Sequence, residues 1–150
     1  MFKKISSLKD KLENLTPGID FKERGIHSYN FKQRIILSKL SKDGLDDMHE
    51  YSILPEFYEF MDVNIPKTKN DTADYIKKLL DRNINGYKGG LARYWFIKEI
   101  TSSKVIGSIG LVGINFEDRK AEIGYGLSPV YWGSGIIFEA LWIILTYCFE

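Results

Sequence analysis

Residues Ala121 to Glu150 read A-E-I-G-Y-G-L-S-P-V-Y-W-G-S-G-I-I-F-E-A-L-W-I-I-L-T-Y-C-F-E. Three physical parts follow one another in this stretch. Ala121 to Leu127 is a short apolar run between Arg119-Lys120 and Ser128-Pro129, the pattern of a buried strand. Val130 to Gly135 is a tight loop with Gly133 and Gly135 two apart, and from Ile136 the chain is apolar for longer than a strand, with the helix formers Glu139, Ala140 and Leu141 inside it. The order strand, glycine loop, helix has a chemical use. The first turn of a helix carries backbone N–H groups without intrahelical partners and a partial positive charge. Glycines let that backbone approach an anion closely, which makes a phosphate site. A G-x-G pair alone more often marks a plain turn.

Upstream, Asn115 to Lys120 forms a polar turn, so Val105–Ile114 is expected to run antiparallel to Lys120–Leu127. Gly107, Gly110 and Gly113 inside that strand point to bulges or to close approach by a neighbour. Leu91–Ile100 is rich in aromatic and β-branched residues and follows the glycine-marked loop Tyr87–Gly90. Asn70–Asn83 reads as a helix, with Asp71 and Asp74 in its first turn and Ala73, Ile76, Leu79 and Leu80 on one face. Ile53–Lys69 is irregular. Asp43–Tyr51 is a shorter helix with Asp43 as its cap and His49 exposed on it, and Arg34–Leu40 is the first core strand. Met1–Leu15 has the spacing of an amphipathic surface helix, closed by Thr16-Pro17-Gly18, and His27 in the following connector reads as a surface residue.

The 150 residues suit one domain, 44% hydrophobic and 14% aromatic content suit a globular core, and a net charge of +1 gives no reason to expect nucleic acid as a partner. The single cysteine, Cys148, excludes an intrachain disulfide and reads as buried filler in the last helix. Glu139 and Thr146 interrupt the apolar run Ile136–Phe149, which is too short to span a bilayer. The expectation is a soluble, cytoplasmic protein. No His or carboxylate cluster has metal-like spacing, so no metal is expected.

The stretch resembles the acetyl-CoA-binding motif of the GNAT acetyltransferases, most closely the branch that acetylates ribosomal-protein N-termini. Ala121-Glu122-Ile123-Gly124-Tyr125, Leu127, Pro129, Tyr131-Trp132-Gly133, Gly135 and Glu139-Ala140-Leu141 fall on that branch's pattern. Val130 departs from the wider superfamily, which often has Gln or Arg three residues before the first loop glycine. The resemblance implies an α/β (α+β) fold, a mainly antiparallel sheet flanked by helices, in a domain from residue 34 to 150 after an N-terminal extension of residues 1–33. It also implies a domain truncated before its C-terminal third, with the family's C-terminal strands and helix missing from this sequence. It implies acetyl-CoA as co-substrate and a primary amine, on a protein N-terminus or a small molecule, as acceptor. Trp132, Gly133, Ser134, Gly135 and Ile136 match the pyrophosphate loop, and Tyr125, Gly126 and Leu127 match the strand that lines the pantetheine. Glu122 matches a glutamate that serves some members as general base; a salt-bridged structural carboxylate is the equal alternative. The tyrosine acid of many members belongs to a later helix, and Tyr147 is on the wrong element to replace it. The alternative function is a non-catalytic half that binds CoA weakly or needs a second chain. With Glu139, Thr146 and Glu150 sharing one face, Ile136–Phe149 is apolar on its other sides, so self-association or a complementing fragment is expected.

Overall fold

The computed structural model describes residues 33–61 and 63–149. The amphipathic helix expected over Met1–Leu15 and the connector with His27 lie outside these residues. Four strands form one sheet in the order β1 (Ile35–Lys39), β2 (Leu91–Glu99), β3 (Val105–Asn115) and β4 (Lys120–Leu127), every neighbouring pair antiparallel. The strands expected from the sequence are all present, within a residue or two of their expected ends. Helix α1 (Leu45–Ser52) and helix α2 (Lys69–Asn85) share one face of the sheet, and helix α3 (Ile136–Phe149) covers the other.

The two faces follow from strand periodicity. On β2, Trp95 and Ile97 join Ile35, Leu37, Ile109 and Leu111 beneath α3, while Tyr94 and Phe96 join Met48, Ile76 and Leu79 beneath α1 and α2. A strand buried on both faces reads as a nearly continuous apolar run, and Tyr94 to Ile97 does. The glycines of β3 do what their number suggested. Gly110 lies against the Tyr94 ring, where a side chain would collide, and Gly113 takes a φ of +58° where the register slips between Val112 and Asn115.

The α2 N-terminus is fixed by a reciprocal pair. Thr68 Oγ1 accepts from Asp71 N–H at 3.2 Å, and the Asp71 carboxylate accepts from Thr68 N–H at 2.9 Å. Because α2 starts one residue earlier than expected, Asp74 falls beyond the first turn. Asp43 is not the cap of α1. It lies in a short 3-10 turn, and Gly44, packed under Phe96, holds the cap position.

Helix α3 departs from its sequence reading in two respects. Glu139 is 1% exposed and belongs to the buried side with Ile136, Ala140, Ile143 and Ile144, so it does not mark a solvent face. Cys148 is exposed instead of filling the core, one turn beyond Ile144, the last buried side chain described on this helix. The outer side carries Phe138 at 66% and Leu145 at 42% exposure. Among the described residues no helix is long and apolar enough to cross a membrane.

Candidate functional site

The end of β4, the glycine loop and the start of α3 form one continuous surface. Gly133 and Gly135 have φ of +72° and +80°, a region that residues with a Cβ rarely adopt, and this sharp path turns the strand into the helix. The loop is tied internally. Tyr131 N–H donates to Ser128 O at 3.0 Å, Trp132 N–H to Pro129 O at 3.1 Å, and Ser134 N–H to Tyr131 O at 3.4 Å. Trp132 adds an indole N–H bond to Leu127 O at 2.8 Å, so this ring braces the loop onto the strand it leaves.

The first intrahelical bond of α3 runs from Glu139 N–H to Gly135 O at 3.1 Å. The amides of Gly135, Ile136, Ile137 and Phe138 therefore precede it, and among the described residues they have no hydrogen-bond acceptor. A cradle of such amides with glycines at its lip fits a pyrophosphate: it supplies donors and partial positive charge, and a Cβ on Gly133 would meet nothing among the described residues. A groove of about 290 Å³ starts here, lined by Trp132, Gly133, Gly135, Ile136, Tyr125 and the Phe57 ring.

The strand side is set by ladder alternation. Ser128 N–H donates to Ile106 O at 2.8 Å, and Gly126 is registered opposite Ser108. In an antiparallel ladder alternate residues bond the same neighbour. Gly126 and Gly124 thus direct their amides to β3, while Tyr125 and Leu127 turn theirs to the other edge of β4. Of the three residues matched to the pantetheine strand, Tyr125 and Leu127 offer backbone donors there. Gly126 makes room for the Phe57 ring, which a Cβ at that position would meet at 2.7 Å.

A second, larger groove of about 1370 Å³ continues along the face of β4 that α1 and α2 flank. Glu122 and Gly124 lie along it with Tyr58, Tyr75, Arg82 and Lys88. Glu122 is bound by Lys88, whose Nζ reaches the two carboxylate oxygens at 2.9 and 2.8 Å. Both side chains are open to solvent, and the carboxylate raises the Lys88 pKa above the usual lysine value. Lys88 is presented by the turn Tyr87–Gly90, with φ of +55°. Arg82 lies over the Tyr87 ring at 3.6 Å and donates to the Tyr94 hydroxyl at 3.3 Å. Burial pushes the Tyr58 hydroxyl up to about 12. His49 is half-buried, with Nδ1 2.8 Å from Thr72 Oγ1, and its ring is occupied on α2.

Two participants were not singled out by sequence reasoning. The buried Glu139 carboxylate accepts from Arg34 N–H at 2.7 Å, Ile35 N–H at 3.2 Å and Arg34 Nε at 3.0 Å, which clamps the start of β1 to α3. Arg34 then donates from Nη1 to Ser134 O at 2.8 Å, inside the glycine loop. The available signal was a lone acid near the start of an otherwise apolar helix, since such a carboxylate is either exposed or paired.

With this geometry in view, relatives are informative. Residues 34–150 match the model of the acetyltransferase (GNAT) domain. An uncharacterized N-acetyltransferase, p20 of Bacillus licheniformis, is 29% identical over 119 residues, which are 79% of this chain and 65% of that protein. A GNAT-family acetyltransferase from Bacillus anthracis superposes with a TM-score of 0.63 at 20% identity, over 79% of this chain and 64% of that one. RimL, a ribosomal L7/L12 alpha-N-protein acetyltransferase solved in complex with coenzyme A, gives a TM-score of 0.62 at 16% identity, over 77% and 64%. The chain thus spans just under two-thirds of the length of these relatives. Matched to one family model from residue 34 to its last residue, and carrying that family's strand, glycine loop and helix in sequence and in space, the chain belongs to the GNAT acetyltransferase family.

Proposed function

We propose that the protein is an N-acetyltransferase that moves an acetyl group from acetyl-CoA to a primary amine by direct attack. The observation that carries this reading is the run of amides from Gly135 to Phe138 that are unengaged among the described residues, continuous through the groove at Tyr125 with the second groove that holds Glu122. In this reading the amides and Trp132 to Ile136 bind the pyrophosphate, and pantetheine lies along the open edge of β4 at Tyr125 to Leu127. The thioester carbonyl accepts from an outward amide of that edge, which steadies the negative charge that develops on its oxygen. The acceptor amine enters the second groove as an ammonium and gives a proton to Glu122. Its nitrogen then forms the C–N bond as the C–S bond breaks, the second proton shed by that nitrogen passes to the departing sulfur, and CoA leaves as the thiol. Lys88 holds Glu122 in the ion pair that a structural role for this carboxylate also expects, and the acceptor ammonium takes the place of Lys88 before the transfer. RimL, which acetylates a protein N-terminus, makes a peptide α-amine a natural first acceptor to try.

The test is thiol release from acetyl-CoA in the presence of peptide amines. Glu122→Gln should lower kcat about 100-fold or more, the range of general-base contributions, without changing CoA affinity. Undiminished turnover in that variant would remove Glu122 from the mechanism.

A further inference from the structure

We infer that Arg34 is a coenzyme-binding residue supplied from outside the glycine loop: anchored on Glu139, it holds the Ser134 carbonyl back and presents the free edge of its guanidinium to the pyrophosphate of acetyl-CoA. The inference rests on the acetyl-CoA reading above. Its grounds are the separate fates of the three guanidinium nitrogens. Nε is held by Glu139 at 3.0 Å, and Nη1 by Ser134 O at 2.8 Å. Nη2 has no partner among the described residues and stands 3.5 Å from where a Cβ on Gly135 would be. The side chain is 44% exposed while its Glu139 partner is 2% exposed, so the anion is hidden behind and the cation faces the loop.

This arrangement does two things for a polyanion. A peptide carbonyl pointing at phosphate would repel it, and the bond to Nη1 fixes the Ser134 carbonyl on the guanidinium. The remaining N–H groups can donate to phosphate oxygens in the plane in which Nε and Nη1 are already fixed, so little side-chain freedom is lost on binding. The loop has no cation of its own: Trp132 to Ile136 contains no Lys or Arg, and Val130 is an exposed apolar residue. The positive charge reaches the loop from the start of the first strand, roughly 100 residues earlier.

The experiment titrates CoA and pantetheine, which lacks the pyrophosphate and nucleotide, into the wild type, Arg34→Gln and Arg34→Lys, with folding checked by circular dichroism. A charge-assisted bond of the usual strength predicts a loss of about tenfold in CoA affinity for Arg34→Gln, with pantetheine affinity unchanged. Arg34→Lys should recover part of the loss. In turnover the same variants should raise KM for acetyl-CoA and leave kcat at saturation unchanged. Equal weakening of CoA and pantetheine would show a purely structural role and overturn the inference, as would wild-type CoA affinity in Arg34→Gln. If Arg34→Gln does not fold, Arg34→Lys decides: its ratio of CoA to pantetheine affinity must fall below that of the wild type. A wild-type protein that binds no CoA would overturn this inference and the acetyl-CoA reading together; normal CoA binding that ignores Arg34 overturns the inference alone.

Discussion

Glu139 and Glu122 each meet a cation at hydrogen-bond distance, Arg34 Nε at 3.0 Å and Lys88 Nζ at 2.8 Å, yet the two pairs stand in opposite surroundings. The Glu139 side chain is 2% exposed and takes two backbone amides as well as the guanidinium. The Glu122 side chain is 60% exposed and, among the described residues, takes Lys88 alone. A buried carboxylate that accepts three hydrogen bonds is expensive to disturb, whereas an exposed ion pair exchanges readily with water and other ions. The difference maps onto the two halves of the candidate site. The end that would read an invariant coenzyme is braced by buried bonds, and the end that would admit an acceptor amine is closed only by a contact an incoming ammonium can replace.

Unequal responses to breaking the two pairs would bear this out. Glu139→Ala removes the acceptor for Arg34 N–H, Ile35 N–H and the guanidinium together. It should cost about 3 kcal/mol, the low end for breaking a buried pair because Arg34 can still reach water. Chemical denaturation measures it, and an unchanged midpoint would show that the clamp between β1 and α3 contributes little. A much smaller effect is expected for Lys88→Met, whose unfolding midpoint at neutral pH should lie close to that of the wild type. The pH dependence of that small difference has a definite sign. The Glu122 hydrogen bond raises the Lys88 pKa in the folded state, so the pair's contribution is fully present below the ordinary lysine value and disappears as pH rises through the raised one. A difference between Lys88→Met and wild type that grows in alkaline solution would contradict the pairing.

The same contrast explains how much could be read from the sequence. Strand positions were legible because β2 and β3 are long apolar runs and β4 a short one, each bounded by turns, and the glycine loop because its residues are consecutive. The family pattern placed Trp132 to Ile136 on the loop and Glu122 on the strand, but it could not distinguish the outward amides of Tyr125 and Leu127 from the inward one of Gly126. That distinction depends on which residue of β4 bonds β3 first, a matter of register. Glu139 was misread because hydrophobic periodicity treats any acid as a mark of solvent. Its true partner lies 105 positions away, and Lys88 lies 34 positions from Glu122, distances at which charge spacing along the chain carries no information. The Asp43 cap failed for a local reason: the chain makes a 3-10 turn before α1, which moves the cap onto Gly44.

The central claim is that the backbone between Trp132 and Ile136 binds the pyrophosphate of acetyl-CoA, and calorimetry with CoA on the wild type and on Gly133→Val with Gly135→Val tests it most directly. Both glycines have positive φ, so valine there both strains the loop and places methyl groups at the cradle. The account predicts a binding isotherm for the wild type and a loss of tenfold or more, about 1.4 kcal/mol at least, in a double variant whose circular dichroism shows an intact fold. Equal CoA affinity in the folded double variant would contradict it.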